Sequence, residues 1–108
     1  MGYIAHHTIV ITSWSGIYIK QAHAKAVELF GSQVSELVES ETNGYTSFFV
    51  APDGSKEGWA ASDRADCLRE DFIKWMQTAK QQSIWLDWVE IRYGGDEPEH
   101  AIVKGHNT

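Results

Sequence analysis

The sequence predicts one α+β domain, in which an antiparallel sheet carries two helices. Strand-like and helix-like runs follow one another in the order strand, helix, hairpin, helix, strand. The dipeptide Asn43-Gly44 supplies the turn signal at the centre of the hairpin. With 108 residues and a hydrophobic fraction of 43%, the chain is long enough for one compact domain and too short for two.

The first strand and the first helix follow from two different periodicities. Residues 3–14 alternate and are rich in β-branched side chains, so Ile9 and Ile11 should face one way and Val10 the other. Residues 17–30 form the helix, and Gly31 ends it. The apolar stripe of this helix consists of Ile19, Ala22, Ala26, Val27 and Phe30.

The hairpin spans residues 34–52. A two-residue type I′ turn at Asn43-Gly44 would pair Val38 with Phe49. This register places Tyr45, Val38 and Phe49 on one face and Phe48, Leu37 and Val50 on the other. Both faces are therefore apolar, which is unusual for an antiparallel sheet with one face in water.

A polar connection over residues 53–61 leads to the second helix, which begins at Ser62 or Asp63 and ends near Gln81. Its stripe consists of Ala65, Leu68, Phe72, Trp75, Met76 and Ala79. Residues 84–93 form the last strong strand, and residues 101–104 are a candidate short edge strand. This βαββαβ order predicts a ferredoxin-like, four-stranded antiparallel sheet with both helices on one face and a short C-terminal extra strand as an option.

Two helices can cover only one face of such a sheet. The other face would carry Leu86, Trp88, Leu37 and Phe48, or in the alternative register Trp85, Val89 and Val38. An apolar patch of this size usually marks an interface, so we expect a homodimer through the sheet face or a contact with another protein. The alternatives are a C-terminal segment folded over the face, or a register that is wrong by one residue.

Charge and cysteine content exclude several classes of protein. Nine Lys and Arg against fifteen Asp and Glu give a net charge of −6, which argues against binding to nucleic acid or to an anionic membrane. A protein that imitates nucleic acid would need its carboxylates clustered on one face, which a linear sequence does not reveal.

Cys67 is the only cysteine, so an intrachain disulfide and a Cys-based zinc site are excluded. No apolar run approaches the ~18 residues of a membrane span, and we expect a cytoplasmic protein.

The sequence contains no motif with a chemical mechanism, so we expect no metal, no cofactor and no enzymatic activity. Trp59 is conspicuous because it stands in a polar loop beside two glycines. Such a ring either covers the core or is displayed for recognition. We predict that Trp59, Lys56 and Asp53 form a binding surface.

A second hypothesis is a small enzyme or ligand-binding protein similar to the dimeric α+β barrels. In such proteins a cavity lies between the sheet and the helices, lined by aromatic rings and one or two histidines. His7, His23, Trp75 and Trp85 are the candidates for that lining.

Two segments resemble small uncharacterised proteins of tailed bacteriophages: SFFVAPDGSKEGW at residues 47–59 and LDWVEIRYGGD at residues 86–96. The resemblance implies a small cytoplasmic accessory protein of phage or prophage origin, which contacts a host or phage protein. It implies no catalytic residues.

Overall fold

The computed structural model describes residues 3–81 and 85–107, apart from the side chains of residues 80 and 81. Its strands are β1 (His6–Ser13), β2 (Val38–Glu39), β3 (Thr46–Val50), β4 (Asp87–Tyr93) and β5 (Ala101–Gly105). Its helices are α1 (Gly16–Phe30) and α2 (Ala60–Gln81), and a short 3-10 helix, Gly31–Gln33, follows α1. Residue 84, where the sequence places the start of the last strong strand, lies outside the described residues.

The strands form one antiparallel sheet in the order β2-β3-β1-β4-β5. The predicted α+β class is therefore confirmed. The sheet has five strands and not four, because the C-terminal segment pairs along β4, with Ile102 opposite Ile91 and Gly105 opposite Val89. The predicted four-stranded ferredoxin-like sheet is therefore wrong in its number of strands.

Strand β1 lies at the centre of the sheet, where it pairs with β3 on one side and with β4 on the other. Ile9 and Ile11 are fully buried on the face that the helices cover. Val10 points to the opposite face and is 37% exposed. The two faces that the sequence predicts for this strand are therefore confirmed.

Helix α1 begins and ends at the residues that its capping signals indicate. The Ser15 hydroxyl accepts a hydrogen bond from the amide of Tyr18, and Gly31 has a φ of 60° and donates its amide to the carbonyl of Val27. The buried stripe consists of Ile19, Ala22, Ala26 and Phe30. Val27, which the helical spacing assigns to that stripe, is exposed.

The hairpin has a different register from the predicted one. Val38 pairs with Ser47 and not with Phe49, and the Ser40 amide donates to the carbonyl of Tyr45 at 2.8 Å. The loop therefore consists of residues 41–44, and the predicted two-residue turn is wrong. Because the shift is two residues, every side chain keeps its predicted face.

The longer loop is stabilised by the Ser40 hydroxyl. It accepts from the Tyr45 amide at 3.0 Å and donates to the Thr42 carbonyl at 2.5 Å. Asn43 and Gly44 do adopt positive φ angles, 64° and 69°, but at the end of this four-residue loop. The two residues therefore have the backbone conformation that their identities predict, in a loop of different length.

The core lies between the sheet and the two helices. Its largest fully buried side chains are Phe48, Phe72, Ile9, Ile11, Ile19 and Met76. Leu86 and Trp88 also belong to the core, so the first of the two predicted sets for the uncovered face is wrong. Val89 and Val38, from the second set, point away from the helices.

In the part of the chain that the structure describes, no helix has both the length and the apolar composition of a membrane span.

Gly95 and Gly44 provide a matched test of the turns. Both have positive φ, but a methyl group at Gly95 would meet the Ile4 carbonyl oxygen, whereas one at Gly44 would meet nothing within 4 Å. We expect Gly44→Ala to lower the free energy of unfolding by about 1 kcal/mol and Gly95→Ala by at least about 2 kcal/mol more. Urea denaturation measures both, and equal losses would contradict the close approach at Gly95.

Candidate functional site

The predicted binding loop, residues 53–59, connects β3 to α2 and is anchored at two points. Asp53 Oδ1 accepts hydrogen bonds from the amide of Ser55 at 3.0 Å and from its hydroxyl at 2.7 Å, which forms a tight turn. Further along, the Glu57 amide donates to the carbonyl of Tyr3 at 2.7 Å. The loop is therefore held both by its own turn and by the N-terminal segment.

The pKa of Asp53 is lowered from its ordinary value of 3.8. Burial opposes ionisation, but the hydrogen bonds from Ser55 and the positive charge of Arg69 outweigh it. Because the folded pKa is depressed, Asp53 stabilises the folded chain above its unfolded pKa. This contribution is lost as the pH falls through the folded pKa.

Trp59 stands at the start of α2, where its carbonyl accepts the amide of Asp63 at 3.0 Å. Its side chain is 51% exposed, and Lys56 Nζ lies 5.8 Å from the ring centroid. At this distance a cation–π contact helps to fix both side chains. About half of the ring is therefore accessible to solvent.

Beneath this loop lies a charged cluster, which consists of His7, Glu57, Asp66, Arg69 and Glu90. His7 Nε2 is 3.3 Å from Glu57 Oε1, and His7 Nδ1 is 3.5 Å from Glu90 Oε2. Arg69 Nε is 3.3 Å from the same Glu90 oxygen, and its guanidinium also pairs with Asp66. The cluster therefore joins the loop, β1, α2 and β4.

The cluster is unusually well buried for charged groups. The side chains of His7, Glu90 and Arg69 are only 16%, 9% and 11% exposed. His7 Nδ1 is buried and makes no hydrogen bond, because its contact with Glu90 has the distance of an ion pair without hydrogen-bond geometry. On its other side the Arg69–Glu90 pair borders a groove of about 280 Å³ between α2 and β5.

Sequence reasoning missed Arg69 and Glu90, although both carry a signal. Arg69 lies four residues after Ala65 and three before Phe72, and therefore on the buried stripe of α2. Glu90 comes two residues after Trp88 in an apolar strand, and so falls on the core side. A charge at a core position requires an opposite charge, and these two provide one for each other.

The arrangement does not have the order of groups that a serine–histidine–carboxylate triad requires. Ser62 Oγ lies 3.5 Å from Glu57 Oε2, so the carboxylate stands between the hydroxyl and His7. Nucleophilic catalysis needs the histidine in that middle position. Glu57 and Glu90 approach opposite nitrogens of the ring and cannot bind one ion together. Within residues 3–81 and 85–107 no group of His, Cys, Asp and Glu side chains has the geometry to hold a metal.

The four residues of the cavity hypothesis do not share a cavity. His7 belongs to the charged cluster at the start of β1. Trp85 is 57% exposed, and its carbonyl accepts the hydroxyl of Ser13 at the other end of that strand. His7 and Ser13 are about 20 Å apart at the rise of an extended strand.

The other two residues of that hypothesis have structural contacts. His23 Nε2 donates to the carbonyl of Ser35 at 2.9 Å, and its ring packs edge-on against Phe48 with centroids 5.1 Å apart. Trp75 stacks on Phe72 with centroids 6.2 Å apart. Both side chains therefore complete the packing around the core.

Comparison with known proteins gives no relative: no family model, curated protein or solved structure matches the chain.

The Arg69–Glu90 pair should dominate the stability of this region. Arg69→Met leaves a buried carboxylate without its partner, and we expect it to lower the free energy of unfolding by about 3 kcal/mol. The exposed Lys74–Glu70 pair on the same helix is the control, and Lys74→Met should cost less than about 0.5 kcal/mol.

A double variant, Arg69→Met with Glu90→Met, separates the pair from simple packing. Because it removes both charges, it should be more stable than Arg69→Met alone in urea denaturation. Additive losses from the two substitutions would show that the pair is not coupled.

Proposed function

We propose that the protein is a small, non-enzymatic binding protein that acts through protein–protein contacts and forms a homodimer through the uncovered sheet face. The observation behind this proposal is the composition of that face. Across its centre, Val10 lies between Phe49 and Val89. Ile91 and Ile102 extend the apolar surface toward β5, and Val38 extends it on β2. Phe49 is 45% exposed, which is unusual for a ring in the middle of a sheet.

The face is also nearly uncharged, although the chain as a whole carries −6. Asp87 is the one carboxylate among its described strand residues, and its Oδ1 lies 3.5 Å from His106 Nε2. The hydroxyl groups of Thr12 and Ser47 form a hydrogen bond with each other, with an oxygen–oxygen distance of 2.7 Å. Two acidic chains can therefore approach through this face with little repulsion, and interface cores are depleted in charge in the same way.

A second copy of the chain is the proposed partner, because it offers the same apolar and nearly uncharged surface. A two-fold dimer would use the same face on both copies and leave no apolar sheet exposed.

The second proposed contact is the loop of residues 53–59, with Trp59, Lys56 and Asp53 as its recognition groups. A half-exposed tryptophan that is held by a neighbouring lysine has the character of an interface anchor. Its partner would be a host or phage protein, in keeping with a cytoplasmic phage accessory protein.

The strand order β2-β3-β1-β4 supports describing the fold as a ferredoxin-like sheet extended by β5.

The alternative of a ligand-binding or catalytic cavity receives less support. The large side chains of Phe48, Phe72 and Met76 are fully buried between the sheet and the helices, and the groove of about 280 Å³ between α2 and β5 is lined by none of the four residues of that hypothesis. A pocket of the kind found in ligand-binding proteins would need several hundred Å³ in that place.

The proposed dimer should have a mass of about 24 kDa, twice the 12.2 kDa of the chain. Light scattering during size exclusion measures this mass at protein concentrations of tens of micromolar. Phe49→Glu places a charge at the centre of the face and should give a monomer. Ile17→Glu alters an equally apolar, 70% exposed residue on α1 and should remain dimeric. A wild-type monomer at these concentrations would contradict the proposal.

The loop proposal predicts that Trp59→Ala weakens capture of a bacterial or phage partner by about 30-fold or more, as expected for an interface anchor. Trp14→Ala is the matched control, because Trp14 is also exposed but lies between β1 and α1. Affinity capture followed by titration of the recovered protein measures both. Equal affinity of wild type and Trp59→Ala for every recovered protein would exclude the loop.

A further inference from the structure

We propose that the two-fold axis of the dimer runs along β1, so that Phe49 of each copy inserts into a groove on the sheet face of the other copy. This inference rests on the proposed dimer and specifies its geometry. The groove lies over β1 and β4 on the uncovered face and has a volume of about 210 Å³. Its lining consists of Val10, Thr12, Asp87, Trp88, Val89 and His106.

The uncovered face carries a protruding ring beside this groove. Phe49 on β3 pairs with Val10 on β1, and Val10 pairs with Val89 on β4, so the three residues form one row across the sheet. Neighbouring strands are about 4.8 Å apart, which places the backbones of Phe49 and Val89 about 10 Å apart. Within one chain the ring and the groove therefore lie on opposite sides of Val10, and the ring stays 45% exposed.

The groove matches a phenyl ring in size and in the placement of its polar groups. An apolar cavity of about 150 Å³ in a protein binds benzene, so about 210 Å³ is sufficient for the ring of a phenylalanine. Val10 and Val89 offer apolar contact side by side. Asp87 and His106 pair at 3.5 Å and remain 63% and 36% exposed, so they can stay in contact with water at the rim. An apolar centre with a polar rim is typical of the pocket that receives an interface anchor.

The strand order identifies the axis that brings the ring to the groove. Strand β1 is the middle strand in the order β2-β3-β1-β4-β5. A two-fold axis that runs along β1, in the plane between two stacked sheets, places β3 of each copy over β4 of the other and β2 over β5. Phe49 then faces Val89 of the second copy, and each of the five strands has a counterpart.

A two-fold axis that runs across the strands is the alternative for the same face. It would place β3 over β3 and β4 over β4, so that the Phe49 rings of the two copies would meet each other. The groove would then receive no ring, and its lining would lose the packing contacts that an inserted ring provides. The observed combination of a protruding ring and a groove therefore favours the axis along β1.

A double-mutant cycle on the dimer dissociation constant, measured by sedimentation equilibrium, tests the insertion. Phe49→Ala removes the ring and should weaken the dimer by about 30-fold or more, as expected for an interface anchor. Val89→Phe fills the groove from its own chain and should weaken the dimer by about tenfold, because the ring of the other copy no longer fits. The double variant restores the total volume, so it should bind at least about tenfold more tightly than the product of the two losses predicts.

Ile102→Phe is the matched control for the filled groove. Ile102 lies on the same face, is 66% exposed and pairs with Ile91 outside the groove. Its effect should combine with that of Phe49→Ala additively, to within about twofold in the dissociation constant.

The wild type provides a measurement that does not depend on how the variants fold. In a mixture of labelled and unlabelled chains, the Phe49 ring of one copy should give intermolecular NOEs to the Val89 methyl groups of the other. The same two groups are about 10 Å apart within one chain, and isotope filtering removes any signal from that chain.

The possible results separate this geometry from the dimer itself. A wild-type dimer in which Phe49→Ala and Val89→Phe are additive would overturn the axis along β1 and leave the dimer intact. Intermolecular NOEs between the two Phe49 rings, with none to Val89, would do the same. A monomeric wild type would overturn both proposals.

Discussion

The structure depends on one packing constraint: two helices cover a single face of a five-stranded sheet. Helices α1 and α2 bury Ile9, Ile11 and Phe48 on that face, and this contact forms the core. The strands nevertheless carry apolar side chains on both faces, as Val10 and Phe49 show. A monomer leaves the second set in water, where each large side chain forgoes about 1.5–3 kcal/mol of burial. The proposed dimer follows from this imbalance.

The charged cluster meets a different need at the end of the same sheet. There Arg69 of α2 pairs with Glu90 of β4. Burying two charges costs free energy unless each charge keeps its partner. His7 joins the pair to the loop through Glu57. The cluster therefore connects the loop of residues 53–59 to the core.

Residue patterns predicted the parts of the fold that depend on periodicity. The alternation around Val10 assigned the faces of β1, and the helical spacing of Phe72 and Met76 identified the buried stripe of α2. The hairpin register could not be predicted from periodicity, because it depends on the two hydrogen bonds between the Ser40 hydroxyl and the backbone of the loop. Polarity patterns do not encode bonds of this kind.

The same distinction applies to the candidate site. Trp59 stood out because it lies in a polar loop, and the structure leaves about half of its side chain exposed. Its role in binding stays a prediction. Arg69 and Glu90 were each recognisable as charges on buried stripes, but their pairing depends on how α2 crosses the sheet. The contact between His7 and Glu57 joins residues 50 positions apart and required the complete fold.

The most direct test of the account is an isotope-filtered NOE measurement on a mixture of labelled and unlabelled chains. If the uncovered face is the interface, the methyl groups of Val10, Val89 and Ile91 should give intermolecular NOEs to the ring of Phe49 or to one another. The absence of intermolecular NOEs from these methyl groups, or their appearance at Ile17 on α1 instead, would contradict it.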